Sequence, residues 1–132
     1  MLRRVSFRAQ DGQAAAEMAL VLPILCALLL GIAQFGIAFN NYITLTDATR
    51  AGARKAAVSR FIGDNGAAAT AAVRSAASNL KQADLAVDVQ ATNWTTPGGD
   101  VTVTATYPYD INIFGFVVKS GNITSTTENR LE

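Results

Sequence analysis

The sequence predicts an α+β protein in which a long N-terminal transmembrane helix continues into an outer domain with a second helix and about three antiparallel strands. Residues 18–39 form a run of 22 residues that is interrupted only by Gln34 and carries no charge. Beyond this run, residues 40–61 keep a helical pattern without proline. After Lys81, hydrophobic residues recur at every second position, which is the period of a β-strand.

The composition supports the membrane segment. Half of the 132 residues are hydrophobic and 16% are charged, whereas about a quarter of a typical soluble domain is charged. Because a short chain has little room for an unusually large core, we expect the excess to lie in the bilayer, which about 20 apolar residues can cross. The alternative is an equally apolar helix buried in a soluble protein.

Several classes of function are disfavoured by the residue inventory. Histidine is absent, and the one cysteine, Cys26, lies inside the apolar run, so a disulfide within the chain is impossible. The net charge of +1 indicates no nucleic-acid partner. We therefore predict a protein that is not an enzyme and that needs neither a metal nor a cofactor.

The predicted membrane helix has features of its own. Pro23 should kink or loosen its first turns, and Gly31 and Gly36 leave bare backbone for close helix contact, although their spacing is not GxxxG. The residues singled out in this segment are Met18, Pro23, Gly31, Gln34 and Phe39.

The first helix should extend from about residue 14 to about residue 60, close to 70 Å at ~1.5 Å per residue. A second set of positions follows the helical period beyond the membrane. Small or apolar residues share one face, against which a domain can pack: Leu45, Ala48, Gly52 and Ala56. On another face Asp47 and Arg50 are three residues apart, with Arg54 one turn further.

Residues 62–66 predict a turn, with Asp64 or Asn65 capping a second, alanine-rich helix. The apolar stripe expected on that helix is Ala69, Val73, Ala76 and Leu80. The alternative is a disordered alanine-rich linker.

A β-hairpin with one buried face is predicted next, around a turn at residues 95–100. Its alternating residues are Leu85, Val87, Val89 and Ala91, then Val101, Val103, Ala105 and Tyr107. We expect residues 107–110 to break the strand, residues 111–118 to form a short helix or a loop plug, and residues 122–131 to form a third strand. Trp94 is interpreted as the lid of a small core, the alternative being an exposed adhesive aromatic residue.

The chain thus divides into a basic leader at 1–12, a transmembrane and extended helix at 13–60, and an outer α+β domain at 61–132. Gly12 and Gln13 precede Glu17, which stands at the head of the apolar run. A scission point before the run would leave the helix in the product, unlike a signal-peptidase site. An α-amine created at Gln13 of a neighbouring subunit could then neutralise Glu17, whose unpaired charge is costly near lipid; the alternative is an ordinary interfacial residue.

Residues 12–17 match the pattern of type IV prepilins, and the chain resembles the TadE-like minor pilins of the tight-adherence (Flp pilus) system. The matching stretches are GQAAAEMALVLPIL, GIAQFG, DATRAGARKAA, VTVTATYPY and TSTTENRLE. Met18 departs from the aromatic residue, and Gln34 from the acid, that members often have at these positions.

The resemblance implies cleavage between Gly12 and Gln13 by a prepilin peptidase, with Glu17 acting in recognition or assembly. It implies residence in the inner membrane. The positive charges on both sides of the run do not decide the orientation, but a long domain translocates with little regard to its charges, so we place the N-terminus in the cytoplasm and the domain outside. The implied partners are other pilins or pseudopilins, the prepilin peptidase, the pilus assembly platform and the lipid bilayer. The alternatives are a permanently anchored scaffold that recruits pilus or secretion machinery and, less favoured, a secreted binding module.

Overall fold

The computed structural model describes residues 9–59, 66–94 and 98–131. Two helices precede three strands: α1 (Ala9–Ala57), α2 (Ala67–Ala76), β1 (Ala86–Ala91), β2 (Asp100–Ile113) and β3 (Phe116–Arg130). The strands form one antiparallel sheet in the order β1-β2-β3. The predicted α+β class, with a long N-terminal helix, a second helix and three strands, is confirmed.

The first helix, α1, has 49 residues and continues through Pro23, so it is about 70 Å long. It ends at Ala57, slightly before the expected residue 60. Ser59 closes the last turn, because its backbone N–H and its hydroxyl both donate to the Ala56 carbonyl, at 3.1 and 3.0 Å.

The hydrophobic core lies between the C-terminal half of α1, the short helix α2 and one face of the sheet. The predicted face of α1 is confirmed, since Leu45, Ala48, Gly52 and Ala56 are all buried. They meet Val101, Val103 and Ala105, which alternate along β2 and are fully buried. We refer below to these packed elements as the globular part.

The second helix packs closely on α1 through its small residues. Its N-cap is Gly66, which has a φ of 89°; the expected caps, Asp64 and Asn65, lie outside the described residues. The predicted stripe is correct at Ala69, Val73 and Leu80. It is wrong at Ala76, which is exposed, because Ala77, one turn after Val73, takes the buried position instead.

The predicted β1–β2 hairpin is confirmed, with a register from Ala86↔Thr106 to Ala91↔Val101; residues 95–97 of its turn lie outside the described residues. Trp94 is partly buried and packs against the core, as expected of a lid.

The prediction that residues 107–110 break the strand is wrong. β2 continues through them, with Pro108 opposite Asn122 of β3. Strand β1 pairs with β2 only as far as Thr106, so Pro108 removes no hydrogen bond to β1 and is tolerated as on an edge strand.

Residues 111–118 are not a helix or a plug, either. They form the end of a second, longer hairpin, in which Ile113 pairs with Phe116 around a two-residue turn, Phe114–Gly115. The third strand therefore begins at Phe116 rather than at residue 122. A register shift next to Ile111 leaves Val118 opposite no residue of β2.

A cluster of hydroxyl groups fixes β3 against α1. The Thr49 hydroxyl lies 3.1 Å from the Ser125 hydroxyl and 3.0 Å from that of Thr127, and it donates to the Thr46 carbonyl at 2.9 Å. Thr49 is fully buried, so these bonds satisfy polar groups that water cannot reach.

Candidate membrane and assembly site

The residues predicted for processing and assembly lie together near the start of α1. Gly12, Gln13 and Glu17 are all exposed. The Gln13 side-chain amide donates to a Glu17 carboxylate oxygen at 3.1 Å, one helical turn away. The Gly12–Gln13 peptide lies within the helix, so a peptidase could reach its carbonyl only after this turn opens.

The apolar segment that follows has no partner within the globular part. Its large side chains are 39–70% exposed, as in Met18, Leu20, Leu30 and Phe39. Among the described residues one helix is long and apolar enough to cross a membrane, and the most apolar 18-residue window of that helix is 0% buried. Apolar surface on this scale requires lipid or other protein around it.

Among the other positions singled out in this segment, Phe39 lines a cleft that is described below, whereas Pro23, Gly31 and Gln34 are not among the residues that line it. Gly31 and Gln34 are partly buried, and Pro23 is exposed. A Cβ added at Gly31 or Gly36 would meet no atom within 4 Å, so this backbone is open to a neighbouring helix. Phe35 and Phe39 stack one turn apart, with ring centroids 6.3 Å from each other.

The positions predicted farther along α1 have two different environments. Asp47 and Arg50 form an exposed ion pair at 3.6 Å, which contributes little to stability, and Arg54 is exposed. Gly52 is buried under α2. A Cβ at this position would overlap Val73 Cγ2 and would lie 3.3 Å from the Ala69 carbonyl oxygen. Gly52 therefore has a packing role.

The β2–β3 hairpin runs beside α1 toward the apolar segment. Thr127 contacts Thr49, and Ser125 contacts Thr46 and Thr49. Farther along the hairpin, Ile123, Ile111 and Lys119 share a cleft with α1 residues between Phe35 and Tyr42. Partly buried positions on α1 follow the same direction, since Gln34, Ala38 and Asn41 continue the stripe that includes Leu45 and Ala48.

This cleft of about 380 Å³ is the feature that sequence reasoning missed. Its walls are mostly aromatic and aliphatic, with one lysine: Phe35, Phe39 and Tyr42 of α1, and Tyr109, Ile111 and Lys119 of the hairpin. The available signal was the Phe114-Gly115 pair between apolar residues, which could have indicated a hairpin turn.

Within the ranges that the structure describes, no group of three His, Cys, Asp or Glu side chains could hold a metal ion. The features that could serve a function are the apolar segment of α1, the Glu17 carboxylate at its start and the globular part.

These features define the class: an α+β protein whose N-terminal helix is long and apolar enough to cross a membrane once. Residues 12–54, which are 43 of the 132 residues, match the family model described as TadE-like protein. The match covers Glu17, the apolar segment and Gly52, and it confirms the resemblance to TadE-like proteins over these residues. The stretches at 101–109 and 124–132 lie outside the match. No curated protein and no solved structure matches the chain.

Proposed function

We propose that this chain is a minor pilin-like subunit for assembly of a Tad/Flp type IV pilus and that it contributes to surface attachment. The observation that carries the proposal is the apolar segment of α1, which is exposed along its length and lies inside the family match. The bilayer would cover this segment before assembly, and the helices of other subunits would cover it afterwards. The chain catalyses no reaction in this function.

The start of α1 supports the first step, cleavage after Gly12 by a prepilin peptidase. A glycine at this point weakens the helix, by roughly 1 kcal/mol relative to alanine, so the turn around the Gly12–Gln13 bond opens more readily. Residues 1–12 would leave as a basic leader. The new α-amine at Gln13 would then lie one turn before Glu17.

Glu17 supports the second step, which is registry between subunits. Its carboxylate stands where the apolar segment begins, and it accepts a hydrogen bond from the neutral side-chain amide of Gln13, which leaves its charge without compensation from that partner. A cation from a neighbouring subunit would lower the cost of keeping this charge beside lipid or packed helices. The α-amine of a processed neighbour fits that requirement.

We assign the chain to the inner membrane, with the N-terminus in the cytoplasm and the globular part outside. Its partners would be other pilins or pseudopilins, the peptidase and the assembly platform. The apolar helix and the family match support this assignment.

The first test is intact mass and N-terminal sequencing of the protein from membranes, with and without the cognate prepilin peptidase. The proposal expects a start at Gln13 that depends on the peptidase. An unchanged start at Met1 would favour the permanently anchored scaffold instead.

A second test separates assembly from folding. Glu17→Gln retains a polar side chain of the same size near Gln13 but removes the charge. We expect normal membrane levels of this variant and a loss of incorporation into pili, measured by immunoblotting of sheared filaments. Asp47→Asn, which removes an exposed carboxylate farther along α1, is the matched control and should be incorporated normally. Normal incorporation of Glu17→Gln would contradict the role given to the carboxylate.

A further inference from the structure

The β2–β3 hairpin ends in an apolar tip, which consists of Phe114, Phe116, Val117 and Val118. We propose that this tip inserts into the leaflet on the side of the globular part, where it forms a second membrane contact beside α1. Its occupant would be lipid, namely the upper acyl chains and the adjoining headgroups.

The tip has the surface of a membrane contact. Its four side chains are 60–77% exposed and adjacent to one another. From Asn112 to Val118 the chain carries no charge, and the nearest acidic residue, Asp110, lies on the domain side of the Ile111↔Lys119 pair. Large contiguous apolar patches of this kind usually mark an interaction surface.

The contacts with α1 place the tip at the depth of the bilayer. Ile111 and Lys119 share the cleft with Phe35 and Phe39. Phe39 ends the apolar segment and is followed by two asparagines, while Phe35 lies about 6 Å farther into it. The tip is three residues beyond Ile111, or about 10 Å along the strand. If α1 spans the membrane, the tip therefore lies inside the hydrocarbon region, on the side of the bilayer that carries the globular part.

The residues around the cleft are those that prefer the membrane–water interface. Tyr42 and Tyr109 line it, and tyrosine is enriched where an apolar ring meets polar headgroups. Lys119 can lay its methylene groups along the apolar wall and place its ammonium group among lipid phosphates.

The backbone of the Phe114–Gly115 turn supports the same proposal independently of the cleft. Phe114 has a φ of 51° and Gly115 a φ of 85°, which is the positive-φ pair of a type I′ turn, where Asn-Gly is preferred. A phenylalanine in this region is strained. The chain therefore holds an aromatic side chain at the tip at the expense of local stability, which a lipid contact explains.

Lipid is a better occupant than a second copy of the chain because the tip lies beside the span itself. The apolar side chains of α1 at the same level already face lipid in a membrane-inserted monomer. This inference depends on the membrane anchor and not on pilus assembly, so the failure of one does not entail the failure of the other.

The test uses tryptophan fluorescence of the full chain in phosphatidylcholine–phosphatidylglycerol vesicles whose acyl chains carry bromine near the headgroup. Trp94 is the one native tryptophan, so Trp94→Phe gives a silent background. Phe116→Trp reports on the tip, and Glu128→Trp, exposed on the same strand, is the matched control. We expect bromine to quench the tryptophan at position 116 and to leave that at position 128 unquenched.

Phe114→Asn, added to the Phe116→Trp chain, separates insertion from folding. Asparagine suits the positive φ, so the hairpin should stay folded by circular dichroism while quenching decreases. Equal emission at position 116 with and without bromine would overturn the proposal. An unquenched, blue-shifted emission that depends on the protein-to-lipid ratio would also overturn it and would identify a second copy as the occupant.

Discussion

Thr49 and Gly52 lie one turn apart on α1 and determine how closely its two neighbours approach. The Thr49 hydroxyl joins α1 to β3 through Ser125 and Thr127. Gly52 allows α2 to pack against the bare backbone of α1, where Val73 occupies the space of a side chain. Both residues are buried, so changes at either should be measurable as stability.

Gly52→Ala should destabilise the globular part by about 1–2 kcal/mol, because a Cβ would overlap Val73 and this overpacking outweighs the helix propensity gained by alanine. The measurement is thermal unfolding in detergent, followed by Trp94 fluorescence. Gly36→Ala, where no atom lies within 4 Å, is the control and should not lower the midpoint. Adding Val73→Ala should recover part of the loss; no recovery would contradict the packing explanation.

Thr49→Val should lower the free energy of unfolding by about 1–3 kcal/mol, because the buried Ser125 hydroxyl and the Thr127 hydroxyl lose their shared partner. Urea denaturation measures the effect. Thr104→Val is matched in chemistry but lies on the other face of the sheet, where Thr104 pairs with Thr126 at 3.2 Å, and should change stability by less than about 0.5 kcal/mol. Equal effects of the two substitutions would contradict the role of the buried cluster.

The sequence predicted the buried position of Gly52 but not the contacts of Thr49. Helical spacing placed Gly52 on the buried face, because every residue of such a stripe belongs to one element. The partners of Thr49 could not be predicted, since Ser125 is 76 positions away and a hydroxyl shows no preference for one distant hydroxyl over another. The hydrogen bond between Gln13 and Glu17 of the same chain was not predicted, although a spacing of four residues on a helix allows it. The cleft could not be predicted because it depends on the register of the β2–β3 hairpin.

The strands and helices show how far periodicity is informative. Alternation predicted β1 and the first half of β2 because one face of each packs on the core. The alternation continues in the second half of β2, where Tyr107, Tyr109, Ile111 and Ile113 are partly buried and alternate with exposed residues, so the period itself was not the cause of the wrong prediction. The cause was Pro108, because a proline excludes a central strand but not an edge.

The glycines at 66 and 98 provide a test of what limits these turns. Both have positive φ, at 89° and 82°, but an added Cβ at Gly66 would lie 2.9 Å from Val89, whereas at Gly98 the nearest atom is an Arg130 nitrogen at 3.5 Å. Gly98→Ala should cost about 1–2 kcal/mol for the backbone alone, and Gly66→Ala should cost a further 1–3 kcal/mol, roughly, for overpacking. Chemical denaturation of both variants measures the difference. Equal losses in the free energy of unfolding would show that Trp94 and Val89 can move aside without cost and would contradict the overpacking at Gly66.

Anchor and globular part form a single structure in this molecule. The last 13 residues of α1 supply Leu45, Ala48, Ala53 and Ala56 to the core, while the same helix supplies the apolar segment. The sequence predicted this continuous helix, because an apolar run of 22 residues is followed directly by a helical pattern without proline. Both signals are local and need no knowledge of tertiary contacts.

Leu29→Arg tests the membrane span directly. Leu29 lies near the middle of the apolar segment and is 58% exposed, so an arginine there should cost about 2.5–3.5 kcal/mol of insertion free energy. We expect a smaller fraction of the chain in the pellet after alkaline carbonate extraction of membranes. Ile43→Arg, beyond the apolar run, should leave the pelleted fraction unchanged, and equal behaviour of both variants would contradict the assigned span.

The uninterrupted course of α1 has a geometric consequence. Because each residue of an α-helix turns the chain by about 100°, the direction in which the sheet faces is tied to the direction in which Glu17 faces. No loop separates them between Gly12 and Ala57. A subunit that rotates about the axis of α1 therefore turns Glu17 and the outer face of the sheet, which carries Thr104 and Thr126, by the same angle. The orientation that Glu17 takes toward a neighbour thus determines which surface of the globular part faces outward.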